Sequence, residues 1–174
     1  MKIGKTDLDG VLLIEPNAFN DHRGQFAEIY NQEIFADEGV DLKFIQDDVS
    51  ISKKNVLRGI HGDNVTWKLA SCLLGEIYIV IIVCDQASDQ FGKWQAFNLS
   101  EEHKQQLLVP PKHGIAHLAL SDKVMLHYKQ TTYYDPTRQF SYKWNDQRFN
   151  ISWPIKDPIL SKRDELGRYL GKSK

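Results

Sequence analysis

The chain of 174 residues has two cysteines, no long apolar run and almost no net charge. The longest apolar stretch, residues 77–84, is far too short to span a membrane, and the first ten residues lack the apolar segment of a signal peptide. A formal net charge of −1 gives no overall field that favours nucleic acid. We therefore expect a cytoplasmic protein without a membrane or nucleic-acid partner, in which local clusters bind any anion.

The two cysteines, Cys72 and Cys84, both lie in strongly apolar sequence. Buried free cysteine behaves as a small apolar residue, and disulfides are rare in the cytoplasm. We predict two reduced thiols in the core rather than a disulfide or a metal-binding pair.

Length and composition indicate one domain over residues 1–174. Hydrophobic residues make up 41% and charged residues 26% of the chain, which is ordinary for a globular protein. We find no internal repeat, low-complexity segment or linker that would divide it.

Helix patterns are few and strand patterns dominate. Residues 31–39 suit one short amphipathic helix that ends at Gly39, and residues 100–105 suit a single turn capped by Ser100. Short segments rich in Ile, Val, Tyr, Phe and Thr indicate strands. They are residues 11–16, 24–30, 43–52, 67–74, 76–85, 93–100, 105–111, 115–121, 124–132 and 140–146. This pattern favours an all-β sandwich or barrel of the jelly-roll type, in which inward-facing polar side chains mark a ligand pocket.

Residues 57–69, LRGIHGDNVTWKL, carry the strongest chemical signal. Arg58 and Lys68 suit an anionic ligand, and His61 can transfer protons near neutral pH. A lone histidine is more often structural, but the two nearby cations favour a functional site. With Tyr128 as a second proton carrier, these residues suggest an enzyme that acts on a phosphorylated substrate by acid–base chemistry without a metal.

Three tyrosines lie within seven residues, Tyr128, Tyr133 and Tyr134. Aromatic residues in strands usually pack against neighbours, and we expect this of at least one of the three. Tyr128 is the best catalytic candidate because its neighbours His127 and Lys129 are polar. We expect a nearby cation to lower its pKa.

Two other charged residues, Arg23 and Asp164, are functional candidates only if a second residue lies next to them. Arg23 in NDHRG is by itself a solvated turn residue, but with Arg58 it suits a diphosphate, since guanidinium groups bind phosphate oxygens bidentately. Asp164 in LSKRD is by itself a surface acid, but next to His61 it would orient the imidazole and raise its basicity. Residues 46–48 add further polar positions.

A metal site of the kind common in double-stranded barrels needs a His-x-His pair, a glutamate and a distant histidine. His61 is followed by Gly62 and Asp63, so the pair is absent. His113 and His117 are four apart in a loop and strand, where this spacing does not bring two rings to one ion. An irregular site from His61, His117 and Asp63 is the minority alternative.

Together, a dozen segments in order resemble the dTDP-4-dehydrorhamnose 3,5-epimerase family of nucleotide-sugar epimerases, over about residues 11–164. They are FNDHRGQFAE, FIQDDVSIS, LRGIH, the lysine of KL, LGEIYIVIIVCD, FGKW, LSEEHKQQLLVPP, AHLALSD, YKQTTYYDP, KWND, ISWP and LSKRD. The resemblance implies a cupin-type jelly roll (a double-stranded β-helix), a homodimer, and activity without a metal or redox cofactor.

The resemblance also implies the chemistry. The substrate is a nucleotide-linked 4-keto-6-deoxy sugar, inverted at C3 or at C3 and C5, because the C4 carbonyl acidifies the hydrogens on both carbons. His61 matches the base, Asp164 its support, Lys68 a cation that stabilises the enolate, and Tyr128 the acid on the opposite ring face. The positions that match the family's diphosphate and nucleotide contacts are Arg23, Arg58, Gln46 and Glu28. We also expect His117 and Tyr134 to bind the substrate.

Departures from the family pattern surround the expected pocket, so they bear on the substrate more than on the reaction. Familiar members follow LRGLH with Tyr-Gln, whereas this chain has Gly62 and Asp63. Asp48 and Val49 replace the usual Asn and His, and PPKHGIAHLAL is one residue longer than its counterpart. The form RGIHGDNVTWKL is similar to a branch that acts on GDP-linked 6-deoxy-4-keto-heptoses.

Two other functions stay open. A 3,4-ketoisomerase would act on the same substrates, but the related ketoisomerases carry a second histidine two residues after the first, where this chain has Asp63. A non-catalytic sugar-nucleotide-binding barrel would use the arginines and tyrosines only to hold its ligand.

Overall fold

The computed structural model describes residues 1–167. Within them the chain forms thirteen strands and two short helices. The strands are β1 Lys2–Lys5, β2 Leu12–Glu15, β3 Ala18–Asp21, β4 Gly24–Ala27, β5 Gln46–Lys53, β6 Leu57–Gly62, β7 Lys68–Leu74, β8 Glu76–Val83, β9 Trp94–Ser100, β10 Gln106–Val109, β11 His113–Ala119, β12 Lys123–Gln130 and β13 Phe140–Ser141. The helices are α1 Gln32–Asp37 and α2 Lys162–Leu166.

Two large antiparallel sheets and one hairpin contain all of these strands. One sheet has six strands in the order β1-β2-β10-β7-β12-β5, and the other has five in the order β13-β6-β11-β8-β9. The hairpin pairs β3 with β4 alone. The prediction of an all-β jelly roll with a few short helices is confirmed.

Strand β8 shows why the two sheets pack together. Its odd-numbered residues, among them Ile79 and Ile81, join the core between the sheets, where they meet Leu107 of β10 and Leu126 of β12. Its even-numbered residues, such as Val80, face the opposite side. Both faces of β8 are therefore buried, which explains its nearly continuous apolar sequence.

Helix α1 covers the outer face of the six-stranded sheet. The Asn31 side chain caps the helix by accepting N–H bonds from Glu33 and Ile34, and Gly39 follows with a φ of +86°. Phe35 of the helix packs with Ile14, Leu69 and Leu108 of the sheet. The helix predicted over residues 31–39 is confirmed.

The segment before α2 covers the outer face of the five-stranded sheet. Phe149 and Trp153 pack with Ile60, Val80 and Ile82. The carbonyl oxygen of Phe149 accepts a hydrogen bond from Nε1 of Trp94, 2.7 Å away. This packing brings the chain back across β6 and places α2 beside it.

Several boundaries differ from the predictions. Strands β1 and β3 and helix α2 were not predicted, and the strand expected at residues 140–146 is reduced to the two residues of β13. The turn at residues 100–105 is present as a single turn, closed by a hydrogen bond from the N–H of Lys104 to the carbonyl of Ser100. Single-domain organisation over residues 1–174 stays a prediction, because residues 168–174 lie outside the described chain.

Both cysteines are free thiols, as predicted. Burial raises the pKa of Cys72 to about 11 and that of Cys84 to about 12, so neither is a reactive thiolate near neutral pH. No helix among residues 1–167 is long and apolar enough to cross a membrane.

Candidate active site

A cavity of about 290 Å³ has walls from both sheets and from the segment around α2. An adjoining recess of about 310 Å³ reaches toward the loop that carries Tyr134. Four side chains line both spaces, namely His61, Lys68, Tyr128 and Arg163. The sequence singled out the first three of these, and the fold brings them together.

His61 on β6 lies against Asp164 of α2. Nε2 of the imidazole is 2.7 Å from Oδ1 of the carboxylate, whose side chain is only 3% exposed. Ser161 donates its hydroxyl to Oδ2 at 2.6 Å, and the N–H of Gly59 donates to Oδ1 at 3.2 Å. The carboxylate is thus held in place, and the imidazole keeps Nδ1 for proton transfer.

The environment keeps Asp164 ionised. Burial alone would raise its pKa, but the contacts with His61 and Ser161 and the Gly59 N–H bond outweigh burial and hold the pKa below its ordinary value. A carboxylate stabilises an imidazolium beside it, so this pair is built to accept a proton.

An extra residue in β6 aims two side chains into the same cavity. Arg58 and His61 are three apart, a spacing that points to opposite faces in a regular strand. Opposite β11, however, Arg58 pairs with His117 and His61 with Ile115, so β6 contains a bulge. Gly59 lies in this bulge with a φ of +120°, where a Cβ atom would come within 2.5 Å of the Ile115 carbonyl oxygen.

Tyr128 enters the cavity from the other sheet. It lies on β12 between Asp48 of β5 and Ala70 of β7. Burial, followed by the charge of Asp48, raises its pKa above the ordinary value, and the opposing effects of Arg58 and Arg163 are smaller. Nearby cations lower this pKa as predicted, but burial outweighs them, and the phenol is protonated near neutral pH.

Three cations line the cavity, Arg58, Lys68 and Arg163. Arg58 donates from Nε to the Ser52 hydroxyl at 3.0 Å. Arg163 donates from Nε and Nη2 to the hydroxyl of Ser141, at 3.1 and 2.9 Å. These hydroxyls orient the guanidinium groups without neutralising them, so the cavity suits an anionic ligand.

His117 on β11 lines the cavity as a buried, neutral imidazole. Burial, with repulsion from Arg58 and His61, lowers its pKa to about 4. Its Nε2 atom has no hydrogen-bond partner within residues 1–167. The ring can therefore offer a hydrogen bond to a bound ligand.

Gln46 and Tyr134 lie at the adjoining recess. Oε1 of Gln46 accepts the N–H of Tyr134 at 2.8 Å, and its Nε2 donates to Asp48 at 2.8 Å. Gln130 also donates its amide to Asp48. The carboxylate of Asp48 thus accepts hydrogen bonds from two side-chain amides next to the cavity.

Arg23 and Glu28 lie away from the cavity of their own chain. Arg23 is at the tip of the β3–β4 hairpin, where Nη2 is 2.6 Å from Asp21. Glu28 is exposed and accepts a hydrogen bond from Asn31 at 3.3 Å. A single chain therefore does not bring Arg23 and Arg58 to one ligand.

Side chains that could bind a metal do not converge. Within residues 1–167, no three His, Cys, Asp or Glu side chains form a group that could hold an ion. Nδ1 of His113 lies 3.0 Å from the carbonyl of Pro111, away from His61 and His117. The carboxylate of Asp63 accepts N–H bonds from Thr66 and Gln139 instead.

Arg163 was not among the predicted site residues. It precedes Asp164 in LSKRD, a segment that the sequence marks as a charged tail. The sequence signal for Arg163 is Ser161, a typical N-cap residue that indicates the start of a helix. Helix α2 begins there and turns residues 163 and 164 toward β13 and β6.

The site combines an imidazole–carboxylate pair, a phenol and several cations in one cavity of a jelly roll. These features define the protein as an acid–base isomerase. Comparison with known proteins narrows this class. The sequence profile described as dTDP-4-dehydrorhamnose 3,5-epimerase matches residues 5–171. The chain belongs to the dTDP-4-dehydrorhamnose 3,5-epimerase family, as its motifs predicted.

Individual relatives agree in sequence and in structure. The dTDP-4-dehydrorhamnose 3,5-epimerase of Salmonella typhimurium is 43% identical over 171 residues, which is 94% of this chain and 92% of the relative. The crystal structure of the Bacillus anthracis enzyme, with TDP and PPi bound, has a TM-score of 0.93 at 34% identity and covers 97% of this chain and 99% of its own.

A third relative is named for epimerisation at a single position. ChmJ of Streptomyces bikiniensis, a 3'-monoepimerase in complex with dTDP-quinovose, has a TM-score of 0.90 at 30% identity, covering 95% of this chain and 86% of its own. These proteins are named for epimerisation, which favours that reaction over a carbonyl shift in this chain.

Proposed function

We propose that the protein inverts C3, or C3 and C5, of a nucleotide-diphosphate-linked 4-keto-6-deoxy sugar, by removing a proton next to the C4 carbonyl and returning one to the opposite face. The observation that carries this proposal is that His61 and Tyr128 enter one cavity from different sheets. One group on one face would only exchange the hydrogen, whereas two groups on opposite faces invert the carbon.

His61 is the base in this proposal. Its imidazole takes the proton from the carbon, and the electron pair of the C–H bond moves into an enolate whose negative charge lies on the C4 oxygen. Asp164, 2.7 Å from Nε2, stabilises the imidazolium that results. The chemistry proposed for this pair uses no metal-bound water.

Tyr128 is the acid. The phenol gives its proton to the carbon from the other side, and the enolate electrons return to form the new C–H bond. Since burial keeps the phenol protonated, it is ready to donate before the reaction begins. Exchange with solvent then restores the proton of Tyr128 and removes the proton from His61.

Lys68 holds the enolate in this proposal, and the two arginines hold the diphosphate. Lys68 is 14% exposed and lines the cavity together with His61 and Tyr128. A fixed cation where negative charge develops is often the largest single contribution to such a step. Arg58 and Arg163 offer guanidinium forks to phosphate oxygens.

We also propose a homodimer that completes the site. The β3–β4 hairpin pairs with no other described strand and exposes Phe19 and Phe26, which lie opposite each other. Such an apolar pair suits burial against a second copy. Arg23 and Glu28 would then serve the cavity of the partner rather than their own.

The free thiols, of which Cys72 is buried and Cys84 partly buried, and the family support the proposed cytoplasmic location. The chemistry proposed for the side chains uses no metal or redox cofactor. Among substrates, both dTDP- and GDP-linked sugars, and both hexoses and heptoses, fit the proposed reaction. The departures at Gly62 and Asp63 make the GDP-linked heptoses a necessary part of the test.

The test is incubation with dTDP- and GDP-linked 4-keto-6-deoxy sugars in heavy water, followed by NMR. The unaltered protein should introduce deuterium at C3, or at C3 and C5, and invert the same carbons. His61→Asn should remove this uptake, a loss of about 10²–10⁴-fold. The control is His127→Asn, because His127 also contacts a carboxylate, Asp47 at 3.1 Å, but on the outer face of β12.

In the same assay, Tyr128→Phe should keep the first exchange and lose inversion by about 10²–10⁴-fold. Tyr133→Phe is the matched control, because that side chain is 73% exposed and lines neither the cavity nor its recess. Undiminished uptake by His61→Asn, or binding of the sugars without any exchange by the unaltered protein, would overturn the proposal. A product with the carbonyl moved to C3 would identify a ketoisomerase instead.

A further inference from the structure

Asp63 is a buried acid at the end of β6 for which the proposed reaction has no role. Its side chain is 3% exposed, and Oδ2 lies 3.9 Å from Nζ of Lys68. It directly follows the last residue of β6, two positions after His61. A buried carboxylate beside a buried ammonium group requires that other contacts hold both in place.

Hydrogen bonds fix the Asp63 carboxylate on both oxygens. Oδ1 accepts the N–H groups of Val65 at 2.9 Å and Thr66 at 2.7 Å. Oδ2 accepts Nε2 of Gln139 at 2.9 Å. The Asp63 carbonyl also accepts the N–H of Lys112 at 2.7 Å. Three separate parts of the chain thus determine where the charge of Asp63 lies.

The same contacts keep Asp63 ionised. Burial would raise its pKa, but the N–H bonds from Val65 and Thr66, with the charge of Lys68, outweigh burial and lower it. The carboxylate therefore carries a full negative charge near neutral pH, on the side of the cavity where Lys68 lies.

Lys68 needs such a partner. Burial, together with the positive charge of Arg163, lowers its pKa, and the charges of Asp63 first and Asp48 second oppose this. The titratable groups that line the adjoining recess around Lys68 are Asp48 on β5, His61 on β6, Tyr128 on β12, Tyr134 on the following loop and Arg163 on α2. Asp48 binds two glutamine amides. Among residues 1–167, Asp63 is the carboxylate within ion-pair distance of Nζ of Lys68.

We propose that Asp63 is a positioning residue that fixes the ammonium group of Lys68 against the cavity wall and keeps it charged for the C4 oxygen of the substrate. The part that concerns the substrate rests on the proposed function, whereas the ion pair exists without it. Asp63, which stands where familiar members of the family have glutamine, thus supports Lys68, the cation proposed to bind the enolate.

The experiment compares Asp63→Asn with the unaltered protein. Asparagine keeps an oxygen for the N–H groups of Val65 and Thr66 but removes the charge. In the ligand-free protein, ¹³C NMR of labelled lysine, with Lys68 assigned by loss of its signal in Lys68→Arg, should show Lys68 titrating at lower pH in Asp63→Asn. A merely structural role would lower thermal stability and leave this midpoint unchanged.

The matched control is Asp85→Asn. Asp85 also pairs with a lysine, Lys112 at 2.9 Å, but lies outside the cavity, so its loss removes one negative charge without changing the Lys68 midpoint. If Asp63→Asn does not fold, Asp63→Ser offers the turn a hydroxyl in its place, and Asp63→Glu restores the charge. An unchanged Lys68 midpoint in Asp63→Asn and Asp63→Ser overturns the proposal.

The rate of deuterium uptake gives a second readout. In Asp63→Asn, kcat for exchange should fall on the order of 10-fold, with KM little changed, because the ammonium group acts where charge develops. An unchanged kcat contradicts the role toward substrate. If the unaltered protein exchanges no keto sugar, the proposed function fails, while the lysine titration still decides whether Asp63 keeps Lys68 charged.

Discussion

At the scale of the residue, burial decides what each titratable group can do. Burial is the largest effect on the pKa of both Tyr128 and His117; it outweighs Arg58 and Arg163 at the phenol, acts together with Arg58 at the imidazole, and leaves a protonated phenol and a neutral imidazole. Asp164 remains ionised because hydrogen bonds outweigh burial. The cavity thus holds a base, an acid and a neutral hydrogen-bonding ring at one pH.

His117 should make stability depend on pH. Its pKa is about 4 in the folded chain against an ordinary value of 6.5. Below pH 6.5 this imidazole is therefore protonated in the unfolded chain, whereas in the folded chain it becomes protonated only near pH 4. Stability falls across this window as pH falls, by roughly 3 kcal/mol from this residue alone.

Urea unfolding at a series of pH values, with His117→Gln and His22→Gln, measures this dependence. His117→Gln should flatten the curve between pH 6.5 and 4, the two limits set by the pKa change. His22 is exposed at the hairpin turn, so His22→Gln should retain the slope. Equal slopes in His117→Gln and the unaltered protein would show that the ring is not held neutral.

The sequence predicted most of the charged and aromatic residues that line the cavity, but not their surroundings. Tyr128 was favoured because His127 and Lys129 flank it, yet alternation along β12 turns both neighbours outward to Asp47. The choice of Tyr128 therefore depended on contacts that the strand does not make. Which charges surround a side chain depends on residues distant in sequence, such as Arg163, and this information is not local.

At the scale of the element, the bulge in β6 determines the site. It allows Arg58 and His61 to share a cavity despite their spacing, and it places the Gly59 N–H on Asp164. Most strands were predictable because their apolar residues alternate or run continuously. The bulge was not predicted, although Gly59 in LRGIH is a signal for it, because an isolated glycine inside a strand often marks a bulge.

Gly59→Ala should disrupt this element. A Cβ atom there would lie 2.5 Å from the Ile115 carbonyl oxygen and 2.6 Å from Cα of Ala116, and both are backbone atoms that cannot move aside cheaply. The matched control is Gly24→Ala, because Gly24 has a similar φ of +126° but nothing within 4 Å. It carries the conformational cost without the close contact.

We expect Gly59→Ala to lower the free energy of unfolding by about 2 kcal/mol more than Gly24→Ala, as overpacking does in a tight core. It should also reduce deuterium uptake, since His61 and Asp164 would shift apart. Chemical unfolding and the exchange assay measure the two effects. Equal stability of the two variants would mean that β6 and β11 do not approach as closely as the structure shows.

At the scale of the whole molecule, the jelly roll was predictable because the chain has many short strands and little helix. The pairing of strands across the two sheets was not, since it depends on long-range contacts. The position of the β3–β4 hairpin was not predicted for the same reason. Its sequence, FNDHRGQFAE, reads as a ligand-binding segment, whereas in one chain it projects with Phe19 and Phe26 exposed by 63% and 69%.

The hairpin provides the test of the proposed homodimer. Replacing Phe19 and Phe26 by serine should convert a dimer to a monomer in sedimentation velocity, because each buried phenylalanine contributes about 1.5–3 kcal/mol. Val65→Ser, at an exposed valine beside Asp63, is the control. A monomeric unaltered protein, or a dimer that survives the double substitution, would contradict the proposal.

His61 and Tyr128, the proposed base and acid, lie on different sheets. Because β6 belongs to one sheet and β12 to the other, the gap between imidazole and phenol is the spacing of the layers, which Ile79, Ile81 and Leu126 fill. In the proposed reaction, the access of both groups to one sugar carbon therefore depends on the volume of the apolar interior. A methyl group gained or lost there should change the distance between the imidazole and the phenol while leaving every polar group of the cavity intact.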